Sequence, residues 1–411
     1  MWKEKSKMKN SVTTDEKQNG TDEQNVKGLA ILGNMKQYSM VLFLVIVGAF
    51  FQFLTNGTFL RPLNVTNVIL QNSHILILAI GMLMVIVLGH IDLSVGSVAA
   101  FVGAVAAILI INNGMNPFLA ILLCLMLGGV IGAWQGFWIA YVKVPAFIVT
   151  LAGMLVFRGL TIVVLGGRTI ASFPDMFRSL SSGFIPDVFG GGTELHVTTL
   201  LVGALFSLVI AIILVLARKK RISYSFSVPS MPVFIVQLVA IAAIVMAFSY
   251  TLASHAGIPN VLFILVSLIV IYYFATTKMK AGRYLYAIGG NEKAAQLSGI
   301  KTQKVVFWTF VNMGMLAGLS GLIFSARLNA STAAAGDLFE LNAIAACFIG
   351  GASSSGGVGK VMGAIVGGLV MAIINNGMSL LGVGIDWQQA IMGLVLLSAV
   401  AVDVYNKKSA A

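Results

Sequence analysis

Apolar residues run along this chain in long blocks, separated by short polar breaks. A helix rising about 1.5 Å per residue needs roughly 20 apolar residues to cross a hydrocarbon core about 30 Å thick. By that measure the pattern predicts twelve apolar segments. They lie near 38–54, 65–88, 94–113, 117–141, 145–165, 197–217, 233–252, 257–275, 305–326, 339–350, 361–382 and 387–405. The segment at 339–350 is too short to cross alone and reads as half of a broken or re-entrant helix. Irregular backbone at that depth is tolerated only where protein or a water-filled path surrounds it. The expected fold is an all-α integral membrane protein, a polytopic helical bundle of about 10–12 transmembrane segments.

Polar residues set the boundaries. Residues 1–37 are polar and of mixed charge, and are expected to be a disordered cytoplasmic tail. Residues 38–405 form one transmembrane domain, with an outer loop at 166–195, an inner loop at 276–303 and a short tail at 406–411. The first apolar run starts near Tyr38, too late for a signal peptide, so it reads as an uncleaved span. With both termini inside, the tail lysines, Lys143, the run Arg218–Arg221, the basic residues of 276–303, Lys360, Lys407 and Lys408 all face the cytoplasm. Arg61, Arg168, Arg178 and Arg327 fall outside, and Arg158 within a span. The positive-inside bias favours this orientation.

Of the 411 residues, 58% are hydrophobic and only 10% charged, against about 25% charged in soluble domains. This excludes an ordinary soluble enzyme, a disulfide scaffold and a disordered chain. The net charge of +12 follows from the inner loops and suggests no nucleic-acid partner. Cys124 and Cys347 lie in apolar runs and read as buried hydrophobes, with no Cys/His cluster to hold a metal.

A nucleotide-driven pump needs G-x-x-x-x-G-K-[ST]. The nearest stretch, Gly356–Lys360, has Ser354 where the first Gly belongs and Val361 after the Lys, so it reads as an inner turn. Intramembrane acids are few. His90 and Asp92 flank a break between apolar runs, where Asp92 suits the cap of the next helix or a gate together with Ser94. Arg158 needs a partner at its depth. No catalytic constellation is legible.

The stripe Gly128-x-x-x-Gly132-x-x-x-Gly136 and the pair Gly363 and Gly367 predict close helix packing. The polar break Asn375-Asn376-Gly377 suits a bend beside a path. In the inner loop, Asn291, Glu292, Lys293, Ala294, Ala295, Gln296, Leu297 and Ser298 spell a short capped helix, fenced by Gly289-Gly290 on one side and Gly299 on the other. Asn291 is the N-cap, Glu292 stands in the first turn and Gly299 follows the end. Two turns are unstable alone in water, so a partner is expected to cover them.

This segment resembles the cytoplasmic coupling helix of membrane subunits in bacterial ABC importers for sugars. The resemblance extends through Ile91-Asp92-Leu93-Ser94-Val95-Gly96-Ser97, Val144–Leu151, Glu340–Ala346 with Gly350-Gly351, and Asn375-Asn376-Gly377-Met378. These are similar to signatures of the ribose/xylose-type permeases, and the match runs from about residue 38 to the C-terminus. Chain length and the stretch Met378–Gln389 look most like the xylose-type members, the extra length falling at about 197–255.

The resemblance implies a permease subunit in the bacterial plasma membrane, translocating a monosaccharide inward. ATP would be used by a separate ABC ATPase docking on Gly289–Ala295, Leu297 and Gly299, and this chain would hold no cofactor. An extracytoplasmic sugar-binding protein would dock outside, and a second permease copy would complete a homodimer. Asp92, Ser94, Asn375 and Asn376 are candidates for the path or gate, and no strong sugar site is expected in the permease itself. The alternatives are an ion-coupled secondary sugar transporter and the same importer type for another monosaccharide.

Overall fold

Helices account for nearly all of the regular structure in the computed structural model, which describes residues 40–190 and 195–408. The expected tail at 1–37 and residues 409–411 of the C-terminal tail lie outside the described residues. The helices are α1 Met40–Leu54, α2 Pro62–Val87, α3 Val95–Ala107, α4 Pro117–Ala140, α5 Ala146–Leu165, α6 Asp175–Ser182, α7 Val197–Ser223 and α8 Met231–Ala253. Then come α9 Asn260–Thr277, α10 Lys280–Gly290, α11 Glu292–Leu297, α12 Thr302–Leu328, α13 Phe339–Ile349, α14 Val361–Leu380 and α15 Ile385–Lys408. The last turn of α3 widens over Ile108–Asn112.

Among the described residues, nine helices are long and apolar enough to span a membrane. Met40–Leu54, Phe339–Ile349 and Ile385–Ala401 are shorter apolar helices, so each predicted apolar segment has a counterpart. The chain is a polytopic membrane protein.

Which helices lie at the centre follows from their surfaces. In α2, 78% of the apolar window is buried, with an unbroken buried run from Ser73 to Val87. The buried residues of α2 include Asn64, Thr66, Ser73 and His74, polar groups that lipid cannot satisfy and that belong inside a bundle. In α7 and α8 only 6% of the window is buried. They pack mainly on each other as a peripheral hairpin with apolar faces left for lipid.

The glycine stripe of α4 lies directly on α12. A Cβ on Gly132 would stand 2.9 Å from the Val311 Cα, and one on Gly314 would stand 2.8 Å from the Gly132 Cα. Backbones in contact this close leave no room for any side chain, as the spacing predicts.

Two breaks interrupt the bundle. The chain leaves α2 at Val87, runs without regular structure to Ser94, and then starts α3. It leaves α12 at Leu328, forms the two-residue pairing of β1 (Ile170–Ala171) with β2 (Ala330–Ser331), and descends to α13. Gly103 of α3 packs on Ser325, and Ala99 on Gly321, so α3 and α12 run parallel. Gly321 lies seven residues before the end of α12, about 10 Å at 1.5 Å per residue. Gly96 is nearly a turn deeper, and it faces Gly336 backbone to backbone. The stretch 332–338 therefore re-enters to mid-membrane depth, and α13 completes the crossing that its own 11 residues cannot make.

The two halves follow one plan. Each of α2–α5 and α12–α15 has a long helix, a break, a helix with an acid at or just ahead of its start (Asp92 before the Ser94 cap of α3, Glu340 in the first turn of α13), and two more helices. The breaks meet at the centre. Broken helices joined at such a repeat interface are a recurrent way of building transport sites at mid-membrane.

Candidate functional site

Three groups of predicted residues occupy three levels of the bundle. The first is at the end where the lysine-rich loops converge, the inner end by the positive-inside rule.

Asn291 caps α11 as the spacing predicts, its side-chain oxygen accepting from the Ala294 N–H at 2.9 Å. Gly299 follows the helix with φ of +84°. The structure corrects the expectation that Gly289-Gly290 fences this helix as loop, because both glycines are the last turn of α10. Gly289 is wedged against the backbone of Val87 and Gly357, where a Cβ would stand 2.7 Å from the Gly357 nitrogen.

Of the docking candidates, Gly289 and Ala295 therefore face the bundle. Gly290, Asn291, Glu292, Lys293, Ala294, Leu297 and Gly299 are exposed. Leu297 stands out at 90% exposure. Glu292 is 3.8 Å from Lys143 in the α4–α5 turn, an exposed pair of the kind that contributes about 1 kcal/mol or less.

The platform beneath α11 is fixed by hydrogen bonds. The Tyr286 hydroxyl donates to the Gly359 carbonyl at 2.7 Å, and the Gly357 N–H donates to the Val87 carbonyl at 2.8 Å. Desolvation raises the Tyr286 phenol above its usual range. Gly357 thus spends its amide within the protein, as a structural turn does.

The second group is at mid-depth, where the breaks meet. Asp92 is buried and accepts from both the N–H and the hydroxyl of Ser94, at 2.9 and 2.6 Å. The expectation that Asp92 itself caps α3 is corrected. Ser94 is the cap residue, and Asp92 holds it in a side-chain turn just ahead of the positive helix end. Gln135 of α4 donates to the Ser94 hydroxyl at 2.7 Å, tying the break to the glycine-packed pair α4 and α12.

Across the contact, Arg158 of α5 donates to Asp337 at 2.9 Å, the partner its depth requires. Glu340, in the first turn of α13, lies against Gly96. Sequence reasoning missed Gln135 and Glu340 as members of this site. The available signal was an echo: Asp92-Leu93-Ser94 and Glu340-Leu341-Asn342 occupy corresponding places in the two halves.

The third group is nearer the outer end. Asn376 of α14 and Asn64 of α2 exchange amide hydrogen bonds at 2.8 and 3.0 Å, both side chains buried. The pair explains a second correction. The polar break Asn375-Asn376-Gly377 does not bend the chain, and α14 runs on to Leu380 because the Asn376 amide finds a partner on a neighbouring helix. Asn64 was not anticipated, since nothing in its sequence surroundings marks a partner 312 positions away. Asn375, one residue before, faces a cavity between α2, α13 and α14.

The outer loop 166–195 forms a built structure in its described residues. It contributes β1 and α6, and its Phe173 N–H donates to the Asn329 side chain at 2.8 Å at the top of the re-entrant stretch. Asp187 accepts from the N–H groups of Val197 and Thr198 and from the Thr198 hydroxyl, satisfying the start of α7. These bonds, the Thr198 hydroxyl's first, hold its carboxyl down to about 2.

Residues 64–400 match the family model described as branched-chain amino acid transport system / permease component. The chain is 38% identical to a xylose transport system permease protein of Haemophilus influenzae, over 91% of this chain and 98% of that protein. It is 37% identical to the corresponding protein of Escherichia coli, over 91% and 93%. It is 33% identical to a ribose import permease protein of Escherichia coli, over 91% and 94%. No solved structure matches.

Proposed function

The chain belongs to the permease family of that description, and we propose that it is the membrane subunit of an ATP-driven, binding-protein-dependent importer of D-xylose in the bacterial plasma membrane. The observation that carries the reading is similarity over nine tenths of the chain to permeases named for xylose, with the ribose permease further away.

In this reading the exposed side of α11, led by Leu297, docks in a groove of a separate ATPase. That subunit uses the ATP. Movement of α11 passes into the bundle through α10, whose Gly289 abuts the end of α2 and whose Tyr286 is tied to the turn before α14. These contacts lead to both central breaks, since α2 runs into the first and α14 packs on the short helix of the second. The outer cover of β1, β2 and α6 offers a surface to a sugar-loaded binding protein. A second copy of the chain forms the other half of the membrane pore.

The test is radiolabelled D-xylose uptake in cells lacking this gene, with and without the gene restored, and with D-ribose run alongside. Restored uptake that needs ATP and survives a proton uncoupler supports the importer. Restoration of D-ribose uptake alone keeps the importer and changes the cargo. Uptake abolished by the uncoupler while ATP stays high would point to an ion-coupled transporter and end the docking argument.

A further inference from the structure

Between α2, α13 and α14 lies a cavity of about 170 Å³. Its walls include Asn72, His74, Phe339, Asn342 and Asn375. His74 is twelve residues into the 26-residue α2, about 18 Å from its start at 1.5 Å per residue. Asn342 is in the first turn of α13, the short helix that begins at depth. The cavity is therefore at mid-membrane, beside the place where the two breaks meet.

Its polar groups are not used up within the chain. Asn342 and Asn375 make no side-chain hydrogen bond among the described residues. Asn72 donates once, to the Val68 carbonyl. His74 is 5% exposed, and its Nδ1 has no partner. Buried polar groups in folded proteins are nearly always paired, and the hydrocarbon around a membrane bundle supplies no hydrogen bonds. The half-buried amides of Asn342 and Asn375 face the cavity with donors and acceptors open to a guest, while His74 presents its ring.

The chemistry of the walls narrows the guest. No charged side chain lines the cavity, so an ion or a zwitterionic amino acid would find no counter-charge. Amides offer donors and acceptors together, which suits hydroxyl groups. The rings of Phe339 and His74, with centroids 4.5 Å apart, give an apolar face for the C–H side of a sugar ring. The volume equals that of about six waters at roughly 30 Å³ each, the scale of a small polyol. On the outer side, the Asn64–Asn376 amide pair joins α2 to α14 next to Asn375.

We infer that this cavity is a transit site for a neutral monosaccharide, held by the amides of Asn342 and Asn375 and by the His74 ring. The inference deepens the sugar-import reading and rests on it for the sugar's identity. It adds to the sequence-based expectation, which is only that the permease carries no strong sugar site.

The test uses the full-length permease in lipid vesicles with its ATPase and binding protein. Both native cysteines are buried, so a small thiol reagent reports on Asn375→Cys, with the exposed Asn113→Cys as control. D-xylose or D-ribose at high concentration slows modification at position 375 several-fold and leaves position 113 unchanged. Separately, the double variant Asn342→Leu/Asn375→Leu, checked for an unchanged melting temperature, imports labelled sugar about ten-fold more slowly, the effect of one or two lost hydrogen bonds. Equal labelling with and without sugar, together with wild-type uptake in the double variant, overturns the site. If that happens while the wild-type vesicles import, the import reading survives. If sugar protects position 375 but no ATP-driven import occurs, the site stands and the import reading falls.

Discussion

Replacing Leu297 by Asp separates docking from folding. Leu297 is 90% exposed at the end of α11, so nearly all of its apolar surface is available to a partner. Fully burying a leucine side chain is worth about 1.5–3 kcal/mol. Each 1.4 kcal/mol is a factor of ten in affinity, so losing the contact weakens ATPase binding by about ten- to a hundred-fold. A carboxylate that must then be desolvated against the groove adds to the loss. The bundle itself changes little, because exposed substitutions away from caps and core cost about 0.5 kcal/mol or less. Ala295→Asp is the contrast, since Ala295 is buried against the bundle and a carboxylate there destabilises the fold. The assay titrates the ATPase subunit onto permease in lipid nanodiscs, with melting temperature and D-xylose uptake recorded in parallel. An unchanged Kd and wild-type uptake in Leu297→Asp would refute the docking assignment. A large drop in its melting temperature would refute the claim that this side chain is free of the bundle.

Three further outcomes follow from the geometry. Gly132→Ala puts a Cβ 2.9 Å from the Val311 Cα, so α4 and α12 must separate; the overpacking costs about 1–3 kcal/mol and lowers the melting temperature in detergent. Arg158→Met strands Asp337 at mid-depth; both side chains are partly exposed, 39% and 54%, so the loss is about 1 kcal/mol, and adding Asp337→Asn recovers much of it in a double-mutant cycle read by melting temperature. The Asp187 carboxyl is held at about 2 against an ordinary 3.8, so its support of the start of α7 is complete above pH 3.8 and fades as pH falls through 2. Hydrogen exchange at Val197 and Thr198, corrected for the intrinsic pH dependence, shows that loss in the wild type, and shows weak protection at every pH in Asp187→Ala.

The sequence by itself determined the parts of this protein that depend on solvent and on local geometry. Twelve apolar blocks had to become helices, because a continuous apolar run in hydrocarbon satisfies its own amides as a helix, whereas a closed barrel would need short alternating strands. The Gly128–Gly132–Gly136 stripe had to be a packing face, and Asn291 had to cap α11, since both follow from spacing on a single helix. The shortness of 339–350 already announced a helix that could not cross alone.

Tertiary structure decided what those local rules leave open. Nothing near Arg158 specifies Asp337, 179 positions on, and nothing near Asn376 specifies Asn64. Whether Gly289 and Ala295 face a partner or the bundle depended on where the end of α2 and the turn at Gly357 came to rest. The run Asn375-Asn376-Gly377 reads as a break until a second helix supplies the missing hydrogen bond, and then the helix continues. The central site forms only where two breaks, far apart in sequence, are pressed together by α3 and α12 running side by side. Polar groups in a membrane are satisfied by whatever the fold brings to them, and that pairing is written in the packing of helices rather than in any one of them.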